Sequence, residues 1–593
     1  MIDNDEIVND DIKISEIFSD YFGNVVSDLD IAPYVPALQN NSSDDPIIGI
    51  ITKYRDHPSI RKIKENISDH SSFCFKPLEI NAVMDEIFNL KLSKSVPVES
   101  IPTKIVKDNN NIFGPKILID FNSSIQNGIF PSNQKFADIT PIFKNTDKND
   151  KHNYRPVSIL PVLSKIFERL MFHQINIYMQ EKLSIFLCGF RKGMSAQNCL
   201  LFMVEKWRRH LDRCEKGGVL LTDLSKAFDC LWHDLLIAKL HAYGFDYNSL
   251  KLILSYLSDR FQRVRVNGSF SKWMKIIYGV PQGSILGAPL FNIYSNDIFF
   301  LLIFDIANYA DDNSPFTFGE NIPAVVSQLE SEGASLLQWV RNNGLKANPD
   351  KFHMILSETS TQLSMMVDNF EIKNSQTEKM LGIKIDNKLT FDPHVSDLCS
   401  KVSQKLHALS RVSQFMPLER RKELMNAFIL SQFGYCPLVW MLHSRKLNHR
   451  INSLHERALR IVFKDTVSTF SELLEKNGSF KIHERNVQNL AIELYKVWHG
   501  LSPKIMNLIF PITMTPAIRG QNCFSSRNIK SANYGTDTLA HLAPKIWKLV
   551  PNEWKTLSLS KFISNIRKWK PACPCKLCKV YIQGVGYIEN ISN

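Results

Sequence analysis

No stretch of this sequence is apolar over the roughly 18 residues that a membrane-spanning helix requires. The longest apolar run, residues 298–304, has only the length of a β-strand. The N-terminus begins with acidic residues and lacks the basic segment followed by an apolar one that marks a secretory signal. These absences predict a chain without a membrane partner.

Cysteine is sparse, with 11 residues in 593, and its spacing indicates no disulfide framework. Together with the missing signal, this predicts an intracellular, reducing compartment. No strong basic import run distinguishes nucleus from cytoplasm. Cys573, Cys575 and Cys578 lie close together, but no Cys or His follows them. A zinc site usually needs four ligands, so a site here would need a distant residue such as His541 as its fourth ligand. We therefore interpret the three cysteines as unligated thiols.

Positive charge is scarce in the first 50 residues. Residues 1–50 contain eleven Asp or Glu and one Lys, a net charge of −10, while the whole chain carries +12. The remaining residues therefore carry +22. A body this basic suits a polyanion such as nucleic acid, although an ordinary solvated surface gives the same count.

Apolar periodicity gives a coarse organisation, and the length allows about three to five domains. Residues 77–130 have the three- and four-residue apolar spacing of helices. Residues 136–389 alternate strand-like runs with amphipathic helices, which predicts an α+β core. Residues 393–463 are mainly helical and basic.

Three aspartates follow two predicted strands in that core. Asp223 ends the run 218–222, and Asp311 and Asp312 follow the run 306–309, with a long predicted helix at 235–256 between them. Nucleotidyl transfer uses two divalent ions about 3.5–4 Å apart, held by carboxylates on rigid elements. If the strands pair and the Asp pair occupies a hairpin turn, the three carboxylates converge. Taken alone, an Asp pair is usually a loop or a helix cap, and a single Asp after an apolar run is a weaker signal still.

Eight motifs in a fixed order resemble the reverse transcriptases of non-LTR retrotransposons, specifically the jockey and CR1-like group. They are DITPIFK at 138–144, NYRPVSILPVLSKIFERL at 153–170, GFRKGMSAQNCL at 189–200, DLSKAFD at 223–229, GVPQGSILG at 279–287, YADD at 309–312, NGLKANPDKFHMIL at 343–356 and MLGIKID at 380–386.

The resemblance implies a right-hand polymerase fold of the α+β class: fingers, a palm whose antiparallel sheet carries the catalytic Asp residues, a helical thumb and a mainly helical C-terminal extension. The expected boundaries are an acidic leader at 1–75, a helical N-terminal extension at 76–135, fingers and palm at 136–390, thumb at 391–463 and C-terminal extension at 464–593.

The resemblance also implies site roles. Asp223, Asp311 and Asp312 are expected to hold two Mg²⁺ ions, with Mn²⁺ as the alternative metal, and the Leu224 carbonyl is expected to add a ligand. Phe228 is expected to pack under the incoming sugar and to exclude a 2′-hydroxyl. Its alternative role is a core Phe at the start of a helix.

Other expected contacts involve the nucleotide and template. Gln282 and Gly283 resemble a loop that contacts the templating base pair, with an ordinary turn as the alternative. Arg191, and less directly Lys144, resemble cations that grip the triphosphate, which the planar fork of Arg suits. Either cation is alternatively a solvated surface charge.

Two further motifs concern the leaving group and the primer. Lys351 matches a Lys that protonates pyrophosphate, with His353 as the second candidate acid and a surface Lys after a turn as the alternative. The pair at 381–382 resembles a primer grip that acts through its backbone.

The implied function is RNA-directed DNA synthesis from a primer 3′-hydroxyl with dNTPs. The expected partners are an RNA template and a DNA primer or target. A catalytically silent nucleic-acid-binding remnant and a maturase-like splicing cofactor are the alternatives. Relatives usually carry an endonuclease domain ahead of the polymerase, and only about 135 residues precede the expected fingers here. We therefore expect that domain to be absent.

Overall fold

The structure is a computed structural model. The structure describes residues 1–3, 6–36, 44–67, 71–144, 146–514, 522–526, 528–531, 534–582 and 586–589. Parts of the expected leader and C-terminal extension therefore lie outside the described residues. None of the described helices is both long and apolar enough for a membrane crossing.

The described α-helices are α1 Asp11–Asn24, α2 Pro46–Lys53, α3 Pro58–Asn66, α4 Ile80–Phe88, α5 Thr103–Asp108, α6 Asn110–Asn127, α7 Val162–Met179, α8 Ala196–Leu211, α9 His233–Ala242, α10 Tyr247–Leu257, α11 Gly287–Ser295, α12 Ile298–Leu301, α13 Ile322–Asn342, α14 Asp392–Ser413, α15 Leu418–Leu424, α16 Pro437–Trp440, α17 Arg445–Phe463, α18 Phe470–Asn477, α19 Ile482–Trp498, α20 Lys504–Ile509, α21 Leu539–Leu549, α22 Asn552–Lys555 and α23 Leu559–Ile566.

The described strands are β1 Ile2–Asp3, β2 Glu6–Ile7, β3 Phe136–Phe143, β4 Tyr154–Ile159, β5 Lys216–Leu221, β6 Leu224–Ser225, β7 Arg260–Val266, β8 Ser269–Phe270, β9 Met274–Ile276, β10 Asp305–Tyr309, β11 Asp312–Gly319, β12 Lys346–Ala347, β13 His353–Leu356, β14 Ser364–Val367, β15 Phe370–Ser375, β16 Thr377–Met380, β17 Ile383–Asp386, β18 Ile512–Met514, β19 Asn522–Phe524, β20 Lys579–Ile582 and β21 Gly586–Glu589.

The first compact unit comprises Met1–Phe190, Asp223–Ile303 and Ala334–Pro349. Its main sheet has the order β4-β3-β7-β8, with β9 also paired to β7. Helix α1 packs on this sheet, because Phe18 and Phe22 join a buried apolar cluster with residues of β3 and β7. The acidic N-terminal region therefore contributes side chains to this unit's core.

The second unit comprises Arg191–Thr222, Phe304–Gly333 and Asp350–Asn593. Its six-stranded sheet has the order β10-β11-β5-β13-β15-β14. All of its neighbouring strands are antiparallel except β13 and β15, which run parallel. The helices from α14 to α23 also belong to this unit.

The coarse organisation predicted from the sequence is confirmed for the helices of 77–130, the mixed segment 136–389 and the helical segment 393–463. The prediction of one continuous helix at 235–256 is wrong. The chain forms α9 and α10 there, because Gly244 adopts a φ of +97° between them and the Asp246 carboxylate caps α10 by accepting from the Ser249 amide at 2.9 Å. The strand-length apolar run at 298–304 begins as the short helix α12.

All eleven cysteines lie in described residues, and none of them forms a disulfide bond. The absence of a disulfide framework, predicted from their spacing, is confirmed.

Candidate active site

The Asp311-Asp312 pair lies at a tight hairpin turn. Strands β10 and β11 pair with Tyr309 opposite Asp312, which leaves Ala310 and Asp311 as the two turn residues. Ala310 has a φ of +59°, as the first central residue of a primed hairpin turn requires. The hairpin expected from the sequence is confirmed, with Asp311 half-buried and Asp312 exposed.

Two buried asparagines brace this turn from below. The Asn308 side-chain amide donates to the Ala310 carbonyl at 3.0 Å and to the Asn313 side-chain oxygen at 2.8 Å. The Asn313 amide in turn donates to the Asp311 carbonyl at 3.1 Å. A left-handed non-glycine residue costs conformational energy and persists where its surroundings fix it. The asparagine pair supplies that restraint.

Asp223 lies two residues after the end of β5, which is a central strand of the sheet that carries the hairpin. Thr222, the residue before it, donates through Oγ1 to the Asn313 carbonyl at 2.5 Å. Thr222, which precedes Asp223, is thus hydrogen-bonded to Asn313, which follows Asp312. Within the second unit, β5 pairs directly with β11 of the aspartate hairpin.

Leu224 lies in a short antiparallel strand pair of the first unit. Leu224 in β6 lies opposite Ala347 in β12, and the Asn348 amide donates to the Asp223 carbonyl at 2.9 Å. Hydrogen-bonded and non-bonded pairs alternate along an antiparallel ladder. The Leu224 carbonyl therefore points away from β12.

Phe228 is half-buried in the first unit. Its ring stacks on Phe291 of α11, with centroids 4.5 Å apart, and meets the edge of Phe190 at 5.8 Å. Two rigid aromatic neighbours fix the ring position while part of it stays accessible. This arrangement accommodates both the steric role and the packing role considered from the sequence.

The loop that holds Gln282 and Gly283 is tied to the segment after Phe228. The Gln282 side chain donates to the Asp229 carboxylate at 2.8 Å, and the Gln282 backbone carbonyl accepts from the Ser158 backbone amide at 2.8 Å. Burial raises the pKa of Asp229, and the hydrogen bond from Gln282 opposes that rise.

Gly283 is required by its surroundings. Its φ is +125°, and a Cβ atom there would lie 2.8 Å from the Ser158 carbonyl oxygen. A side chain would clash with backbone that has little freedom to move. The loop therefore approaches β4 through bare backbone.

Glu168 is a positioning residue that the sequence analysis did not identify. It is fully buried on α7, and its Oε2 accepts from the amides of Ile285 at 2.5 Å and Leu286 at 3.3 Å. Burial raises the pKa of Glu168, and nearby Arg260 opposes the rise. The sequence does place this carboxylate among apolar residues, in FERL at 167–170. Since carboxylates are buried only when they are paired or hydrogen-bonded, that position could have predicted a bonded Glu.

The cationic residues expected to contact phosphates belong to different units: Lys144 lies in the first, and Arg191 and Lys351 lie in the second. Lys144 follows β3 in the first unit and is exposed, with its amide bonded to the Asn153 carbonyl at 2.8 Å. Arg191 begins the second unit and is half-buried. In that unit Lys351 is exposed before β13, and the His353 imidazole lies 3.4 Å from Glu378.

The pair at 381–382 forms the turn of the β16–β17 hairpin. Leu381 and Gly382 both have positive φ, +47° and +85°, which matches a two-residue primed turn. The Tyr435 hydroxyl donates to the Leu381 carbonyl at 2.6 Å. Beside them lies a groove of about 540 Å³ whose wall also includes Tyr309, Lys496 and Arg567.

Several predicted residues are therefore brought together within each unit. The first unit joins Phe228, Gln282 and Gly283 through one connected segment, and the second carries the aspartate hairpin, the 381–382 turn and Tyr435. The oxygen donors of the aspartates and of Leu224 are hard ligands of the kind that Mg²⁺ prefers. The donor set fits that ion.

Comparison with known proteins agrees with the motifs. The family described as Reverse transcriptase (RNA-dependent DNA polymerase) matches residues 144–385. A probable RNA-directed DNA polymerase from transposon BS of Drosophila melanogaster is 26% identical over 409 residues, which cover 66% of this chain and 45% of that protein. The RNA-directed DNA polymerase from mobile element jockey of the same species is 30% identical over 356 residues, covering 56% of this chain and 38% of the relative.

A third relative, the probable RNA-directed DNA polymerase from transposon X-element of Drosophila melanogaster, is 27% identical over 364 residues, or 58% of this chain and 39% of that protein. The chain thus spans less than half the length of these relatives. The matched residues hold the hairpin, Asp223 and the loop around Gly283. Residues 144–385 are therefore similar to reverse transcriptase domains, and the three relatives are named as RNA-directed DNA polymerases of transposon BS, mobile element jockey and transposon X-element.

Proposed function

We propose that this chain is an RNA-directed DNA polymerase that extends a primer 3′-hydroxyl with dNTPs on an RNA template. The observation that carries the proposal is the braced turn at Tyr309–Asp312, which is hydrogen-bonded to Thr222, the residue between β5 and Asp223. A turn fixed in this way holds two carboxylates at the end of a sheet with little reorganisation.

Asp223, Asp311 and Asp312, with the Leu224 carbonyl, are the proposed ligands of two Mg²⁺ ions, and Mn²⁺ is the alternative metal. When bound, such ions stabilise the attacking and leaving oxygens of an in-line displacement. The chain's own part is to hold the backbone that carries the carboxylates in a fixed orientation. The hydrogen bonds of Asn308 and Asn313 to the turn support that role.

Nucleotide selection is proposed for the first unit. The Phe228 ring, fixed by Phe291 and Phe190, would close the space beside the sugar and exclude a 2′-hydroxyl. The Gln282–Gly283 loop would contact the templating base pair, since its bare backbone permits close approach.

The remaining roles follow from charge. Arg191 and Lys144 would bind the triphosphate, for which cationic hydrogen-bond donors are suited. Lys351 would protonate the leaving pyrophosphate, with His353 as the alternative acid. The Leu381–Gly382 turn would hold the primer through its backbone.

We also propose a right-hand arrangement of functional regions. The six-stranded sheet would be the palm, the β3–β4–β7 sheet would belong to the fingers, and the helical segment 391–463 would be the thumb. The antiparallel pairing around β5 and the basic, helical character of α14 and α17 support this division.

The test is primer extension by the purified chain on an RNA template, with Mg²⁺ and Mn²⁺ compared. Asp311→Asn is expected to lower extension by at least about 100-fold, because a ligand carboxylate supports several kcal/mol of charge stabilisation. Asp368→Asn is the matched control, since Asp368 occupies the turn of the β14–β15 hairpin with a φ of +51°.

Equal extension by wild type and Asp311→Asn, with both proteins folded, would refute the catalytic proposal. Salt-dependent RNA binding without any nucleotide incorporation would instead favour the catalytically silent remnant. Co-purification of an intron RNA would favour the splicing cofactor.

A further inference from the structure

Three cysteines near the C-terminus and one histidine from a distant helix form a compact cluster in the second unit. The candidate ligand atoms of His483, Cys573, Cys575 and Cys578 all lie within 4.8 Å of one another. Three of these residues are buried and Cys578 is half-buried. We propose that this cluster is a structural zinc site with a Cys₃His ligand set.

The local backbone explains how the three thiols converge. Cys573 and Cys575 are separated by one residue, and the Cys578 amide donates to the Cys575 carbonyl at 3.1 Å, which closes a tight turn. Cys578 lies directly before β20. A short turn with alternating ligands directs several sulfur atoms to one side, as in other zinc sites built on closely spaced cysteines.

The histidine comes from 90 residues upstream of Cys573 in the sequence. His483 is the second residue of α19, and its Nε2 atom lies 3.1 Å from the Cys575 sulfur. His541, the ligand considered from the sequence, is outside the cluster and contacts Lys545 at 2.7 Å. The fourth ligand therefore becomes visible only in the folded chain.

Neighbouring side chains hold the cysteine turn against the helices. Gln488 of α19 donates to the Trp569 carbonyl at 2.7 Å, just before the turn. Arg445 of α17 donates to the Lys576 carbonyl at 2.9 Å, and the Lys576 ammonium pairs with Asp537. These anchors lie outside the cluster and orient the backbone that carries the thiols, as the supporting residues of metal sites do.

The chemistry of the donors favours zinc over harder ions. Thiolate and imidazole ligands suit Zn²⁺, whereas Mg²⁺ and Ca²⁺ require oxygen. Bonds of about 2.3 Å to sulfur and about 2.0–2.1 Å to nitrogen place tetrahedral donors roughly 3.6–3.8 Å apart. The observed spacing is compatible with one shared ion after small side-chain rotations.

Four protein ligands leave no coordination position for a substrate, which is typical of structural rather than catalytic zinc. The ion would fasten the end of the described chain, including β20, to the start of α19. Zinc would thus stabilise the helical region that follows the reverse transcriptase domain. This inference is independent of the polymerase proposal.

The direct test is the zinc content of the full chain, purified under reducing conditions without chelator. Wild type is expected to carry about one zinc ion per chain, and Cys575→Ser or His483→Asn to lose at least about 80% of it. Cys74→Ser and His541→Asn are matched controls that should retain it, because exposed Cys74 and His541 lie outside the cluster. Zinc-free wild type, or variants with the wild-type content, would overturn the proposal.

A second measurement on wild type avoids the ambiguity of a variant that fails to fold. Thiol alkylation followed by mass spectrometry is expected to spare Cys573, Cys575 and Cys578 until a chelator is added. Replacement of the metal by Co²⁺ should give the thiolate charge-transfer and visible bands of a tetrahedral site. A chelator-insensitive alkylation pattern, or a disulfide within the cluster, would contradict the site.

Discussion

At the scale of single residues, the two asparagines below the aspartate turn connect sequence to chemistry. Asn308 and Asn313 are almost fully buried, and between them they bond the carbonyls of both turn residues. Their amides offer donors that a carboxylate would lack and an aliphatic residue would not replace. They are therefore positioning residues for the proposed metal ligands.

The variant Asn313→Ala tests this role. It removes the bond to the Asp311 carbonyl and an acceptor for Asn308, so the turn should loosen and bind metal more weakly. We expect the Mg²⁺ concentration for half-maximal primer extension to rise by about tenfold, a typical effect of losing a partner that orients a ligand. Extension rates measured across a Mg²⁺ titration provide the readout.

The matched control is Asn387→Ala, which removes a buried amide bonded to Thr359 and Gln376 away from the turn. It should cost similar stability, about 1–3 kcal/mol for the groups left unpaired, without changing the Mg²⁺ requirement. An unchanged requirement in Asn313→Ala would show that the asparagine serves stability alone.

Some residues of the site were accessible from sequence and others were not. Asp223, Asp311 and Asp312 were identifiable because each sits in a contiguous motif, and the hairpin was predictable from the short run before the Asp pair. Glu168 and His483 act on segments 117 and 90 residues away. Such partners are selected by packing, and no local pattern records which distant backbone a buried side chain will meet.

At the scale of elements, a helix or strand was predictable where its local sequence pattern agreed with its tertiary packing. The break between α9 and α10 has a local cause, namely Gly244 and the Asp246 cap. Because the helical apolar periodicity continues on both sides of these residues, the sequence pattern predicted one helix. Helix α1 shows the opposite case. Its acidic composition indicated a leader, whereas Phe18 and Phe22 bury themselves in the first unit's core.

Helix α13 carries a buried carboxyl that should make stability depend on pH. Glu332 is buried, its Oε2 has no hydrogen-bond partner among the described residues, and burial raises its pKa to about 7. The folded chain therefore retains a proton that the unfolded chain releases near its ordinary pKa of 4.5. Its contribution to stability is present below that ordinary value and is lost as the pH rises toward 7.

The substitution Glu332→Gln should remove this dependence. The variant is expected to unfold about 1–3 °C above wild type at pH 8 and within about 1 °C of it at pH 5, since a neutral amide avoids the cost of burying a charge. Thermal unfolding at the two pH values measures the difference. Glu320→Gln is the matched control at the exposed position before α13, and equal shifts at both pH values in Glu332→Gln would refute the burial argument.

At the scale of the whole molecule, charge is the property that the sequence shows most directly. The −10 of residues 1–50 and the +22 of the rest require no structure to count. The structure shows where individual cations lie. Arg450 and Arg457 are exposed on α17. The Arg457 guanidinium lies 3.4 Å from the His407 ring on α14. These residues flank a buried stripe formed by Ile451, Leu454 and Ala458.

Binding to an RNA–DNA duplex should therefore depend strongly on salt, because each neutralised phosphate releases counterions. The logarithm of affinity is expected to fall linearly with the logarithm of salt concentration. If α17 follows the duplex backbone, Arg457→Gln should make the slope less steep by about 0.9, the value for one phosphate contact. Fluorescence anisotropy of a labelled primer–template between low and moderate salt measures both slopes.

Arg61→Gln is the matched control, since Arg61 is exposed on α3 and already paired with Asp56 at 3.2 Å. Neutralising it changes the net charge by the same amount, so a general electrostatic effect would alter both slopes equally. A change confined to Arg457→Gln would indicate a specific phosphate contact on α17. Equal slopes for wild type and both variants would mean that α17 does not contact the nucleic-acid backbone, and the basic character of that helix would then serve solubility alone.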